Sequence, residues 1–278
     1  MHVGAMTVDV EDYFHVSAFE QKIQRHDWPS LPVRVEKNTH KILDLLDEHN
    51  AKATFFVLGW VAEHYPSLVQ RIVTEGHELA SHGYFHQRLT SLTDEQIKTD
   101  IGDSKKLLED VSGQQVIGYR APSFSISSRN IEVMDTLSEL GFKYSSSTYP
   151  VKHDLYGEPN GQRQSYKTAS GLLEIPMSTL KIANKNWPIS GGGYFRLLPY
   201  WLSVAAIKRY QDSDRDPYVF YFHPWEIDPE QPRIKGVPLK SKFRHYTNLH
   251  RMQQKLTCLL KHHEWKSFQQ LYFGKQAI

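Results

Sequence analysis

Short apolar runs alternate with longer amphipathic stretches along the first half of the chain. An uninterrupted apolar run of about four to eight residues predicts a buried strand, and apolar residues three or four apart predict a helix. The predicted strands are 3–10, 53–59, 77–81, 116–119 and 144–147. The predicted helices are 35–49, 67–76, 93–111 and 131–140. Strands alternating with helices indicate parallel strands joined by crossover helices, which is an α/β fold.

This alternation is interrupted between Pro150 and Ser170, where the sequence is polar and contains Gly and Pro. We interpret this segment as a long surface insertion. Strands are predicted again at 172–177 and 218–222, with a helix at 199–210 and a last helix from Thr247 or Asn248 to about Leu260. The glycines of 190–196 lack the Lys-Ser/Thr ending of a phosphate-binding loop, so we expect a flexible or closely approached loop and no nucleotide there.

Composition narrows the classes of function. The 278 residues suffice for one large α/β domain or two small ones, and the formal net charge of +2 gives no electrostatic case for nucleic acid. No apolar stretch approaches the ~20 residues of a membrane span. The first residues lack a basic segment followed by a hydrophobic one, so we expect no signal peptide and a cytoplasmic location. The single cysteine, Cys258, excludes an intrachain disulfide and is expected to be buried.

Acidic residues end the first predicted strand. Asp9 and Glu11 are two apart, so they share one face of a strand, and Asp12 points to the other face if the strand continues that far. Carboxylates grouped at the end of a strand in an α/β protein suggest a site, although a solvated strand exit gives the same pattern.

Three further polar groups follow later strands. His82 and His86 are four apart after the third strand, Arg120 ends the fourth, and His223 follows the strand at 218–222. Each has an ordinary structural alternative, such as a packed histidine or a surface salt bridge. Because the carboxyl ends of parallel strands meet at one face, the groups are expected to converge. Together they offer two imidazoles and a carboxylate for a metal, a base, an arginine and an acid.

In this order and spacing the motifs resemble those of the NodB-homology polysaccharide deacetylases, carbohydrate esterase family 4. The motifs are Thr7-Val8-Asp9-Val10-Glu11-Asp12, Ser81-His82-Gly83-Tyr84-Phe85-His86, Arg120-Ala121-Pro122-Ser123-Phe124 and Phe222-His223-Pro224. Gly83 stands where the family's second motif has Ser or Thr. The sequence is most similar to the branch associated with exosortase and exopolysaccharide loci, whose C-terminal extension resembles the segments 191–200, 223–229 and 243–248.

The resemblance implies a distorted (β/α) barrel of about seven parallel strands with long loop insertions. It implies a single catalytic domain over 1–278, with a core of about 3–225, an insertion of about 150–200 and an extension of about 226–278. Glu11, His82 and His86 would hold a divalent metal, with Asp12 as the rival of Glu11. Zinc is the expected ion, and Co²⁺, Ni²⁺ or Fe²⁺ are alternatives.

The resemblance also implies an activity. Asp9 would act as base, Arg120 would hold it ionised, and His223 would act as acid in removing N-acetyl groups from an oligo- or polysaccharide. Tyr194, Trp225 and Pro122 are the expected substrate contacts. Alternatives are a hydrolase of small linear or cyclic amides, as in allantoinase-like members, and a glycan-binding relative without activity. A glycan enzyme without an export signal would act on a cytoplasmic or membrane-linked precursor, so peripheral membrane association stays open.

Overall fold

A computed structural model of the chain describes residues 3–154 and 156–274. The strands are β1 (Val3–Val10), β2 (Thr54–Val57), β3 (Glu78–Ser81), β4 (Gly118–Tyr119), β5 (Tyr144–Ser145), β6 (Tyr166–Lys167), β7 (Leu173–Glu174), β8 (Thr179–Ile182), β9 (Lys185–Pro188), β10 (Tyr218–Phe222) and β11 (Glu264–Lys266). The α-helices are α1 (Val35–Glu48), α2 (Gly59–His64), α3 (Pro66–Thr74), α4 (Asp94–Ser112), α5 (Val133–Glu139), α6 (Gly192–Leu197), α7 (Tyr200–Ser213), α8 (Leu239–Tyr246) and α9 (Leu249–His262).

The main sheet has the order β10-β1-β2-β3-β4-β5-β7-β6, and β11 also pairs with β1. The first seven strands of this order are parallel, and β6 is antiparallel at the edge. Within the described residues β10 and β6 form the two ends, so the sheet is open, and it curls into a half-barrel. Strands β8 and β9 form a separate hairpin. The predicted α/β fold with about seven parallel strands is confirmed.

Strand β1 lies at the centre of the hydrophobic core. Met6, Val8 and Val10 are fully buried, as expected for a strand covered on both faces. Its register pairs Gly4 to Val8 with β10, Thr7 to Val10 with β2, and Val3 to Ala5 with β11. The short strand β11 therefore covers the part of the β1 edge that β2 does not reach.

Several local predictions differ from the structure. The strand predicted at 116–119 pairs only at Gly118–Tyr119, and that at 172–177 only at Leu173–Glu174. The glycine-rich segment is closely approached at Gly192, as expected, but it is not a loop, because Gly192–Leu197 is helical. Cys258 is half-buried rather than buried, because it lies beside the buried stripe of α9 formed by Met252, Leu256, Leu259 and Leu260.

No local pattern predicted α8, the β8–β9 hairpin or β11. Residues 1–2 and 275–278 of the predicted domain, and Leu155 of the predicted insertion, lie outside the described residues. Among the helices of the described ranges, none combines the length and the apolar character needed to cross a membrane.

Candidate active site

A cavity of about 500 Å³ opens at the carboxyl ends of β1, β3 and β10. It brings together four groups predicted from the sequence: the carboxylates after β1, the His82/His86 pair, the Arg120 segment and His223. Its lining includes Asp9, Glu11, His82, His86, Ala121, Ser123, Phe124, His153, Tyr156, Tyr194, Arg196, Tyr221, His223, Trp225, Glu226, Lys240, Phe243 and Arg244. The convergence expected for parallel strand ends is therefore present in the structure.

Asp9 is held by a buried arginine. Arg120 Nη1 donates to Asp9 Oδ1 at 2.6 Å, and the guanidinium also donates to Thr7 Oγ1 at 2.9 Å and to the Ser146 carbonyl at 3.0 Å. The guanidinium lies over the Phe56 ring, 4.1 Å from its centroid. All of these contacts are buried. The charge-assisted hydrogen bond from Arg120 therefore fixes the orientation of the Asp9 carboxylate.

Glu11, His82 and His86 form a second cluster. One potential ligand atom from each lies within 4.8 Å of the others. His82 Nδ1 donates to the Arg120 carbonyl at 2.8 Å, which leaves Nε2 as the unprotonated ring nitrogen. Burial lowers the pKa of His82 to about 4, so the ring is neutral at physiological pH. A neutral imidazole and an ionised carboxylate are the protonation states that metal binding requires.

The hydrogen bonding of this cluster is incomplete within the described part of the chain. Glu11 Oε2 lies 2.8 Å from His86 Nε2, yet the contact does not have the geometry of a hydrogen bond. Glu11 Oε2 and His86 Nδ1 are both buried without a hydrogen-bond partner. Burial alone would raise the pKa of Glu11, but His86 and His223 outweigh it and hold the pKa well below its usual range. A buried, ionised carboxylate beside two imidazoles fits a divalent cation.

Gly83 explains one departure from the family motif. Its φ is +76°, and a Cβ at this position would lie 2.8 Å from Asp100 Oδ2. Asp100 Oδ2 accepts a hydrogen bond from the Tyr84 backbone N–H at 2.9 Å, so it is not free to move away. Glycine is therefore the residue that this backbone between His82 and His86 favours.

The structure separates the two rival acids. Asp12 Oδ2 accepts from the backbone N–H groups of Arg34 and Val35, at 2.5 and 2.7 Å, and so caps α1. Its Oδ1 accepts from the Tyr13 N–H at 2.8 Å. Asp12 therefore lies on the α1 side of the strand end, whereas Glu11 lies beside the two histidines.

His223 reaches the cavity from the end of β10. Its Nε2 lies 3.4 Å from Glu11 Oε1 and 3.9 Å from Asp9 Oδ2, and about a fifth (19%) of its side chain is exposed. Burial alone would lower its pKa, but Glu11 and Glu226 raise the pKa to about 9. At neutral pH the ring is therefore protonated and can donate a proton.

Sequence reasoning missed two residues behind His223. Glu226 Oε1 accepts from His223 Nδ1 at 2.9 Å, and Glu226 Oε2 accepts from Arg196 Nε at 2.7 Å. Glu226 and Arg196 are each only 1% exposed. The three-residue spacing of His223 and Glu226 could have indicated the first contact, but no local signal relates Arg196 to a residue 30 positions later. Gly192 allows the approach, because a Cβ there would lie 2.4 Å from Glu226 Oε1.

The three expected substrate contacts are placed differently. Tyr194 lines the cavity, half-buried. Trp225 also lines it, but its indole stacks between His223, at 5.1 Å, and His245, at 4.1 Å, and its Nε1 donates to Glu11 Oε1 at 3.3 Å. Pro122 is buried and does not line the cavity, although Ala121 and Ser123 on either side of it do.

Two family matches divide the chain. Residues 27–145 match the polysaccharide deacetylase family, and residues 146–273 match a domain of unknown function, DUF3473. Asp9 and Glu11 precede the first match. His223, Glu226 and Arg196 lie in the second, so the cavity contains residues of both matched segments.

Curated relatives share parts of the chain. A peptidoglycan-N-acetylglucosamine deacetylase of Bacillus cereus is 41% identical over 84 residues, which are 30% of this chain and 30% of the relative. A peptidoglycan-N-acetylglucosamine deacetylase of Listeria monocytogenes is 29% identical over 153 residues, which are 51% of this chain and 33% of the relative. The matched segments thus span about a third of the length of these relatives.

Solved structures share the fold over nearly the whole chain. A Mycobacterium smegmatis protein described as a polysaccharide deacetylase has a TM-score of 0.61 at 19% identity, covering 95% of this chain and 85% of that one. A family 4 carbohydrate esterase of Streptomyces lividans has a TM-score of 0.50 at 15% identity, covering 96% and 91%. The predicted family is confirmed: the chain contains a polysaccharide deacetylase domain of the NodB-homology, carbohydrate esterase family 4 type, followed by a domain of unknown function.

Proposed function

We propose that this chain is a metal-dependent hydrolase that removes N-acetyl groups from an N-acetylated glycan. The observation that carries the proposal is the meeting of three units in one cavity. These are the Asp9–Arg120 pair, the cluster of Glu11, His82 and His86, and His223, the proposed general acid. A base, a metal site and an acid in one cleft are the groups that amide hydrolysis requires.

Glu11, His82 and His86 would hold the ion, which we propose to be zinc because nitrogen and carboxylate ligands suit it; Co²⁺, Ni²⁺ and Fe²⁺ tolerate the same donors. When bound, the ion supplies Lewis-acid activation of the amide carbonyl and of water. The hydrogen bond from His82 to the Arg120 carbonyl orients the ring for this role.

Proton transfer would be divided between Asp9 and His223, whose Oδ2 and Nε2 atoms lie 3.9 Å apart beside the proposed metal site. Asp9, held in place by the hydrogen bond from Arg120, would accept the proton of the attacking water. His223, protonated and held by Glu226, would donate to the leaving nitrogen, so the products are acetate and an amine. Glu226 is a positioning residue here, because it reaches the reaction only through His223.

The substrate is proposed from the cavity and the relatives together. Aromatic rings other than the stacked Trp225 line the cavity and would pack against sugar rings: Phe124, Tyr156, Tyr194 and Tyr221. Relatives bear the names of peptidoglycan N-acetylglucosamine deacetylases. The resemblance to the exopolysaccharide-associated branch favours a glycan of exopolysaccharide biosynthesis over peptidoglycan.

We further propose that the two matched segments act as one catalytic unit. Strand β1 pairs directly with β10, and β5 pairs with β7, so hydrogen-bonded pairs of the main sheet cross the boundary at residue 145. His223 and its partner Glu226 would have no counterpart if residues 146–273 were removed.

The test measures acetate release from N-acetylglucosamine oligomers and metal content on the same preparation. We expect acetate from the wild-type protein, no metal in His82→Ala, and bound metal without turnover in Asp9→Asn. Glu11→Gln and Asp12→Asn form a matched pair: the first should lose the metal and the second should keep it.

Three outcomes would count against the proposal. Absence of both metal and activity in a folded wild-type protein would refute the catalytic interpretation. Bound metal without acetate release would refute the substrate class, and small linear or cyclic amides would be tested next. Equal metal loss in Glu11→Gln and Asp12→Asn would refute the ligand assignment.

A further inference from the structure

Helix α8 exposes its apolar side chains and buries a polar one. Leu239 and Phe243, four residues apart on one face, are 82% and 59% exposed. His245, on the inner side, is 3% exposed and stacks on Trp225 with ring centroids 4.1 Å apart. A surface helix of a soluble domain has the opposite arrangement, so this apolar face is available for a partner.

Leu239 and Phe243 are exposed although α8 is firmly held against the rest of the protein. Arg196, itself buried, donates to the backbone carbonyls of Arg244 and His245, each at 3.1 Å. On the inner side, Phe19 packs against the rings of His245 and Tyr246. With α8 fixed in this way, Leu239 and Phe243 do not turn inward without breaking buried hydrogen bonds.

The sequence segment that contains α8 carries charged residues of one sign. Residues 231–263 contain eight Lys and Arg and no Asp or Glu, although the whole chain carries 33 Lys and Arg against 31 Asp and Glu. The cations of this segment are Arg233, Lys235, Lys240, Lys242, Arg244, Arg251, Lys255 and Lys261. Lys240 and Arg244 also pair with Asp154 from the neighbouring segment, which neutralises part of this charge.

We propose that α8 and its basic flanks, Arg233 to Arg251, dock on the surface of an anionic lipid bilayer. Leu239 and Phe243 enter the boundary between headgroups and acyl chains, and the surrounding cations contact lipid phosphates. Exposed apolar residues among Lys and Arg on a helix that is too short to span are the features of an interfacial segment.

Two other occupants fit less well. An anionic polysaccharide would satisfy the cations, but it would leave Leu239 and Phe243 in water. A second copy of this chain, meeting this face by two-fold symmetry, would oppose cation to cation. Of these three occupants, a bilayer matches both the charge and the apolar side chains.

Docking would also orient the cavity. Lys240 and Phe243 belong both to α8 and to the lining of the cavity, so the cavity would open close to the lipid surface. A substrate held at a membrane would then reach the cavity without leaving the membrane. The docking surface itself does not depend on catalysis, so its test needs no activity.

The test is co-sedimentation of the whole protein with vesicles of phosphatidylcholine containing phosphatidylserine, and with vesicles of phosphatidylcholine alone. We expect binding to the anionic vesicles that weakens with added salt. Leu239→Ser combined with Phe243→Ser should lower the partition coefficient about tenfold or more. The matched control is Ile131→Ser with Ile182→Ser, two exposed apolar residues elsewhere, which should leave binding unchanged.

The charge is tested in the same way. Arg233→Gln, Lys235→Gln and Lys242→Gln together should lower binding to anionic vesicles by about tenfold or more. Neutralising Lys98, Lys106 and Lys208 is the control, with the same change in net charge. Equal loss in both triple variants would overturn the proposal, as would absence of vesicle binding.

Two further results would assign the face to another partner and overturn the proposal. One is dimerisation in analytical ultracentrifugation that the two serine substitutions abolish, together with no vesicle binding. The other is binding to a soluble anionic polysaccharide that the serine substitutions do not change. Circular dichroism of each variant confirms that the fold is intact.

Discussion

The buried pair of Arg120 and Asp9 allows a quantitative test that does not involve activity. We consider Arg120→Met, Asp9→Asn and the double variant. Methionine replaces the aliphatic part of arginine and carries no charge, so Arg120→Met removes the guanidinium from a site that is 0% exposed. It leaves the Asp9 carboxylate, 2% exposed, without its charge partner.

The magnitude follows from the distance and the burial. At 2.6 Å and an effective dielectric constant of about 20, the attraction between the two charges is about 6 kcal/mol. Desolvation of both groups offsets much of it, so the pair itself adds little net stability. Removing one partner leaves the desolvation of the other uncompensated, and we expect Arg120→Met to lower the free energy of unfolding by about 3–5 kcal/mol.

The double variant distinguishes this account from a simple loss of packing. Asp9→Asn alone leaves a buried guanidinium without its charge partner, whereas the double variant leaves neither charge of this pair. The sum of the two single-variant losses in unfolding free energy should therefore exceed the loss in the double variant by at least about 1–2 kcal/mol. The measurement is urea unfolding of the metal-free protein, followed by circular dichroism. Additive losses, with a coupling energy below about 0.5 kcal/mol, would refute the reasoning.

Two more predictions concern stability. Gly192→Ala should lower the free energy of unfolding by about 1–3 kcal/mol, because its Cβ would lie 2.4 Å from Glu226 Oε1. Burial lowers the pKa of His77 to about 4, below the value of about 6.5 in the unfolded chain. The unfolded chain binds the proton more tightly than the folded chain does. The contribution of His77 to the free energy of unfolding should therefore fall as the pH drops from about 6.5 to about 4. Between pH 7.5 and 5 the loss is about 2 kcal/mol, and His77→Asn should remove that part of the pH dependence.

Each of these predictions has its own control. Gly193→Ala is the matched variant for Gly192→Ala, because a Cβ at Gly193 meets nothing within 4 Å and alanine favours a helix. Equal destabilisation at both positions would show that the contact with Glu226 is not the cause. For His77, urea unfolding at the two pH values is compared between wild type and variant. An unchanged pH dependence in the variant would assign the effect to other histidines.

The sequence predicted the elements whose own apolar residues mark the side that is buried. β1 and β2 lie deep in the core, so an uninterrupted apolar run identifies them. The amphipathic α1 and α4 bury one stripe, which periodicity detects. The groups at the ends of these strands could be expected to meet because parallel strands share a direction.

The elements that the sequence did not predict are determined by tertiary contacts. β11 is three residues long, with exposed Glu264 at one end, and is a strand because an edge of β1 is free beside it. Helix α8 buries His245 and exposes Leu239, so its apolar residues do not mark its inner face. The pairing of Arg196 with Glu226 joins two helical segments, and no local pattern encodes it.

The position of β1 in the sheet has a consequence for synthesis of the protein on the ribosome. Gly4 pairs with Tyr218, so one edge of the first strand stays open until more than two hundred further residues have been made. At about 5–20 residues per second, this delay is about 10–40 s. Throughout it the nascent chain carries an apolar strand with unpaired backbone groups, which is a site for aggregation. We therefore expect Asp9 and Glu11 to meet His223 only late in translation, with chaperone dependence concentrated in this interval.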